Sequence, residues 1–143
     1  MRILIHSSLD FKSDMLYAKS YIESNSQASI ILPDLKRYQH IRDDYGDDTT
    51  FTKIKNRLTK QNIKLVEEAD FLFILNITHR QVINYIGGNS FLEMVIAFYL
   101  NKPIYLLNEI PCNMSYTEEI KSFYPIITNS IERFVLMINE FSE

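Results

Sequence analysis

Phe71-Leu72-Phe73-Ile74-Leu75, then Gly87-Gly88-Asn89-Ser90-Phe91-Leu92-Glu93-Met94-Val95-Ile96-Ala97-Phe98-Tyr99-Leu100, then Pro103-Ile104-Tyr105-Leu106-Leu107 decide the fold. The first run is wholly apolar, so it predicts a strand covered on both faces rather than one with a wet side. The second opens on paired glycines and is apolar nearly all round, which predicts a buried helix over 89–100. The third leaves a proline and is again a short apolar strand. Strand, helix and strand in this order form a βαβ unit, whose two strands run parallel.

The same alternation extends outward in both directions. Arg2 to His6 predicts a buried first strand, and Ser8 to Asn25 a helix with Met15, Ala18 and Ile22 at helical spacing. Ser29 to Leu32 is a second strand, stopped by Pro33. Pro33 to Asp48 predicts a long polar surface loop carrying Tyr38, His40, Arg42 and Tyr45. From Thr50 to Glu68 a helical stripe collects Phe51, Ile54, Leu58, Gln61 and Leu65. Ser115 to Phe123 predicts a short helix opened by a Ser115-x-x-Glu118 capping box. Pro125 to Thr128 is a fifth strand. Ile131 to Phe141 is an amphipathic helix with Ile131, Phe134, Val135, Ile138 and Phe141 on one face. Five βα repeats predict an α/β, three-layer, Rossmann-like domain over residues 1–143. Its five-stranded parallel sheet would take the flavodoxin-like order 2-1-3-4-5, with helices on both faces. In such sheets ligands bind at the carboxyl ends of the strands, which selects the loops 7–11, 33–48, 76–90 and 108–115.

Composition narrows the function classes. Hydrophobic residues make up 46% of the chain, too many for a disordered protein. The net charge of -3, with both signs mixed along the chain, shows no basic face for a nucleic acid polymer. The single cysteine, Cys112, excludes an internal disulfide and fits a reducing compartment. Met1-Arg2 leads straight into a short strand rather than a signal peptide. The most apolar stretch, Phe91 to Leu100, contains Glu93 and is too short to span a bilayer. The expectation is a cytoplasmic protein without a membrane partner.

Two of only three glycines are adjacent, at Gly87 and Gly88, just before the predicted helix. Glycines at a helix N-terminus let a ligand approach open backbone N–H groups and the positive end of the dipole, an arrangement suited to phosphate or carboxylate. Glu93 lies one turn further on. Ser90-x-x-Glu93 is itself a capping box, yet the apolar neighbours Phe91, Leu92, Met94, Val95 and Ile96 would leave this carboxylate poorly hydrated, as many catalytic carboxylates are. Both roles stand. Ser7 and Ser8 follow the first strand and either bind a ligand or cap the next helix. Tyr85, beside Gly87, is a candidate to stack on a base; Tyr38 and Tyr45 are others. Asn108, Asn113 and Ser115 follow the fourth strand and serve either a ligand or turn chemistry. His6, His40 and His79 are too scattered for a metal site, and Asp43, Asp44, Asp47 and Asp48 do not have calcium-loop spacing. No metal and no cofactor are expected.

The run Gly87-Gly88-Asn89-Ser90-Phe91-Leu92-Glu93-Met94, with Ala97 and Asn101-Lys102-Pro103-Ile104, resembles the signature of the nucleoside 2-deoxyribosyltransferase-like proteins. There is a looser likeness to the lysine-decarboxylase-like phosphoribohydrolases, which carry a Gly-Gly turn, a threonine and a glutamate at similar spacing. Both groups act on the bond between a base and a sugar. The resemblance implies that Glu93 attacks the anomeric carbon of a nucleoside or nucleotide, giving a glycosyl-enzyme that water hydrolyses or a second base intercepts. It implies that Gly87, Gly88 and Ser90 hold a sugar hydroxyl or a 5′-phosphate; Ser7, Ser8, Asp10, Asn76, Tyr85, Asn89 and Asn108 are the other candidates to bind the substrate. It also implies a homodimer. Two positions depart from the pattern. Gly87 stands where the deoxyribosyltransferases have an aspartate, and Asn76 where the third strand often ends near another. Asparagine can hold a base but cannot protonate it, which leaves Asp10 and His79 as substitute donors. The alternative is a nucleotide-binding or sensing module that keeps the phosphate cradle without chemistry.

Overall fold

The computed structural model describes residues 1–36 and 48–143. The elements are β1 (Arg2–His6), a 3-10 turn (Leu9–Phe11), α1 (Lys12–Asn25), β2 (Ser29–Ile31), α2 (Asp48–Glu68), β3 (Phe71–Ile74), α3 (Gly88–Tyr99), β4 (Ile104–Leu106), α4 (Thr117–Ser122), β5 (Ile126–Ile127) and α5 (Ile131–Glu140). All five strands pair in parallel in the order β2-β1-β3-β4-β5. This is the predicted α/β three-layer architecture.

Side-chain alternation along the strands explains why both faces had to be apolar. Ile3, Ile5, Phe73, Leu75 and Tyr105 point to one side, beneath Met15, Ala18 and Ile22 of α1 and Phe134, Val135 and Ile138 of α5. Leu4, Leu72, Ile74, Ile104 and Leu106 point to the other, beneath Val66 of α2, Met94 and Ala97 of α3 and Ile120 of α4. Because β1 alternates, His6 falls on the α3 side, as Leu4 does.

Several expectations change. The α2 stripe drifts by one residue at its middle, so Gln61 is exposed and Asn62 is the buried polar residue. The chain from Ser8 enters a 3-10 turn before α1 begins at Lys12. The α3 helix is not buried all round. Ser90, Glu93, Met94 and Ala97 face inward, whereas Leu92, Phe98 and Tyr99 are exposed. The capping box at Ser115 does not form: α4 starts from Tyr116, and Thr117 Oγ1 instead accepts from Met114 N and donates to the Pro111 carbonyl. Of the loop expected over 33–48, residues 37–47 lie outside the described residues, and with them Tyr38, His40, Arg42, Asp43, Asp44, Tyr45 and Asp47. Asp48 already belongs to α2. No helix among the described residues is long and apolar enough to cross a membrane.

The Asn101-Lys102-Pro103 segment owes its pattern to helix ends. Asn101 is left-handed at φ 57°, and the bonds Asn101 N to Phe98 O and Lys102 N to Ala97 O close α3 in a Schellman motif. The Lys102 ammonium then donates to the Val66, Glu67 and Ala69 carbonyls at the end of α2. A lysine there satisfies orphan carbonyls and complements the negative end of the dipole.

Candidate active site

The carboxyl ends of β1 and β3 open into a cavity of about 400 Å³. Residues 6–10, after β1, form one side. The turn from Gly87 to Ser90 forms a second, with Tyr85 beside it. Phe51, Lys55 and Leu58 of α2 form a third, and His79 and Arg80 close the rim.

The glycine turn begins α3 earlier than the capping box implies. Gly87 is the extended N-cap, at φ -74° and ψ 169°, and contributes no side-chain cap. The first helical bond runs from Phe91 N to Gly87 O. The N–H groups of Gly88, Asn89 and Ser90 have no acceptor among the described residues, and all three residues line the cavity. Neither glycine has positive φ, so backbone conformation does not require them. Space does. A Cβ on Gly87 would come within 3.2 Å of the Tyr85 hydroxyl, while one on Gly88 would meet no atom within 4 Å and stand in the open space of the wall. Lys55 Nζ reaches the same turn and donates to Asn89 Oδ1 at 2.8 Å.

Ser90, moved inside the helix, turns toward the sheet. Its Oγ is 2.8 Å from His6 Nδ1. The Glu93 Oε2 is 3.1 Å from that same nitrogen, within ion-pair distance. Yet neither Glu93 oxygen has a hydrogen-bond partner among the described residues. The two observations agree if Nδ1, with a single in-plane site for a proton or lone pair, is already taken by Ser90. Burial, with the Lys55 charge second, lowers the His6 pKa to about 4. Burial raises that of Glu93 well above the usual carboxylate range, against a smaller opposing pull from Lys55. Burial thus disfavours the charged form of both groups, and His6 is neutral at pH 7. With a neutral imidazole on one side, their contact is not an ion pair. Glu93 is 3% exposed and adjoins the cavity through His6 instead of lining it.

Of the residues singled out from the sequence, Ser7, Ser8, Asp10, His79, Tyr85, Gly87, Gly88, Asn89 and Ser90 line the cavity. Ser7 also donates to the Leu75 carbonyl at 2.6 Å, tying β1 to the end of β3, and Ser8 makes no side-chain cap. Asn76 and Asn108 are not on the wall. The Asn76 amide donates to the Asn108 and Glu109 carbonyls and accepts from Asn108 N, while Asn108 Nδ2 donates to Asn76 O. This explains why Asn76 is not an aspartate: a carboxylate would face two carbonyl oxygens with no proton to offer. Three polar lining residues, Lys55, His6 and Arg80, were not put forward as ligand contacts from the sequence. Lys55 left a signal, since it falls within the apolar stripe between Ile54 and Leu58. So did His6, which continues the alternation of β1. Arg80 left none. Among the described residues no three His, Cys, Asp or Glu side chains converge on a possible metal position.

No protein-family model matches the chain, and no curated protein sequence matches it. Among solved structures the fold is similar to that of the CMP N-glycosidase BcmB of Clostridium botulinum. The TM-score is 0.55 at 10% sequence identity, over 97% of this chain and 98% of that one. The likeness is one of fold.

Proposed function

We infer that the chain cleaves the N-glycosidic bond of a nucleoside 5′-monophosphate. One observation carries this: an anion-binding wall lines the cavity, and a buried carboxyl lies directly behind it. The wall comprises three open N–H groups at the positive end of α3 with Lys55 and Arg80. The carboxyl is Glu93, against His6. A cavity of about 400 Å³ falls within the range that holds small ligands. The similar CMP N-glycosidase fold supports cleavage over base exchange.

In this reading the phosphate docks on Gly88, Asn89 and Ser90, and the base lies toward Tyr85 and His79. Glu93 must act as carboxylate. Lys55 already favours that form. Positive charge growing at the anomeric carbon adds to the same bias, so ionisation is coupled to the transition state. The carboxylate then bonds to the anomeric carbon as the base leaves, and water releases the sugar phosphate. A second reading, a nucleotide-binding module without turnover, is favoured by the place of Glu93 behind His6 and by the burial that raises its pKa. Incubation with cytidine 5′-monophosphate, the other 5′-monophosphates and the parent nucleosides, followed by chromatography, separates the two. Free base from a monophosphate, at least about tenfold faster than from its nucleoside, is expected from one phosphate contact of roughly 1.4 kcal/mol. Raised melting temperature without free base would leave the binding module.

A further inference from the structure

The rim of the cavity holds a strained turn beside the place of the base. His79 and Val82 form an isolated antiparallel bridge, with His79 N donating to Val82 O and Val82 N to His79 O. The two residues between them, Arg80 and Gln81, are both left-handed, at φ 46° and 67°, and Asn84 follows at 55°. Turns with two left-handed central residues normally take Asn or Gly there. Neither Arg80 nor Gln81 is such a residue, and backbone held in sparsely populated regions clusters where function over-determines it.

This strained turn fixes one ring. His79 is largely buried between Phe11, edge-on at 5.5 Å between centroids, and Tyr85, at 5.3 Å. Its Nε2 lies 3.2 Å from Asp10 Oδ2. Its Nδ1 has no hydrogen bond among the described residues, and the ring lines the cavity. A carboxylate on one imidazole nitrogen orients the ring and leaves the other nitrogen facing the ligand. Asn76 cannot supply that proton, being fully engaged with Asn108 and Glu109.

We propose that His79, oriented by Asp10, is the proton donor to the departing base; this rests on the cleavage reading above. As the bond between the anomeric carbon and the base nitrogen breaks, its electron pair stays with the base, which takes the proton from His79 Nδ1. When water then attacks the anomeric carbon and displaces the Glu93 carboxylate, the proton lost by water returns to Nδ1. The acid is thereby restored, and the products are free base and sugar phosphate. His79 is the catalytic residue and Asp10 a positioning residue.

The test compares two substrates that differ only in the leaving group: a nucleoside 5′-monophosphate, whose base must be protonated, and 4-nitrophenyl riboside 5-phosphate, whose phenolate leaves as a stable anion. General acid catalysis is worth about 10²–10⁴ in rate. His79→Gln should therefore lose at least about 100-fold in kcat/KM on the nucleotide and at least about tenfold less on the aryl glycoside. Asp10→Asn, at an exposed position that leaves folding intact, should shift the ratio of the two rates in the same direction by a smaller factor. Equal losses on both substrates, or no loss, with an active parent protein, would overturn the role of His79 alone. An inactive parent on both would overturn the cleavage reading and this role with it.

Discussion

Acidifying the protein from pH 7 to pH 5 should weaken it through one side chain, His6. In the folded state burial holds its pKa at about 4, against an ordinary value of 6.5. A depressed pKa of this kind gives stability that is complete above pH 6.5 and is lost as pH falls through 4, because the unfolded chain binds the proton first. The full difference of 2.5 units corresponds to about 3 kcal/mol, of which about 2 kcal/mol is already gone at pH 5. Glu93 works in the opposite sense. Its raised pKa gives stability that is complete below pH 4.5 and is lost as pH rises through its folded value. The two slopes partly cancel in the parent, so the measurement is a difference. Urea unfolding of the parent and of His6→Asn, at steps from pH 7 to pH 4.5, gives two curves. The parent should lose about 2 kcal/mol more than the variant between pH 7 and pH 5. Parallel curves would show that His6 is not held neutral by burial and would refute the electrostatic account of the site.

Other consequences are independent of that one. Gly88→Ala should leave the empty protein as stable or up to about 1 kcal/mol more so, since the new methyl group meets nothing. It should weaken binding of a nucleoside monophosphate by about tenfold or more; unchanged affinity in calorimetry would move the phosphate away from the turn. Lys102→Met keeps the stem and removes the donor to three carbonyls at the end of α2. A loss of about 1–3 kcal/mol in urea unfolding is expected, and no loss would mean that water replaces the ammonium. Exposed Leu92, Phe98 and Tyr99 on α3 fit a face covered by a second copy. Light scattering should give twice the chain mass for the parent and the single-chain mass for Phe98→Asp, whereas a monomeric parent would remove the dimer.

The fold was legible because its signals are local. Strands such as Leu72-Phe73-Ile74 are apolar on successive residues, and only a sheet covered on both faces asks for that. The strand order followed from the βα alternation. The start of α3 was less legible. Ser90-x-x-Glu93 has the spacing of a capping box, but the extended Gly87 begins the helix a turn earlier, which sends Ser90 to His6 and leaves Glu93 without the backbone partner that the motif implies. The lining residues near the glycine pair could be found from the sequence, since each lies at the carboxyl end of a strand. The contacts that set their chemistry could not. Lys55 meets Asn89 across 34 positions, and His6 meets Ser90 across 84. Nothing in the pattern of either segment specifies the other. Asn76 and Asn108 misled for a related reason: both sit after strands, where ligands bind, yet they close on each other across two loops.

The central claim is that Glu93 cleaves the glycosidic bond, and its most direct test is base release by the parent protein beside Glu93→Gln. The amide keeps the shape of a carboxyl whose charged form burial disfavours, so the variant should unfold at a similar urea concentration while losing the nucleophile. The account predicts free base from a nucleoside 5′-monophosphate with the parent and none with Glu93→Gln. Equal release by both proteins, or no release by the parent alongside a melting temperature raised by the same nucleotide, would contradict it.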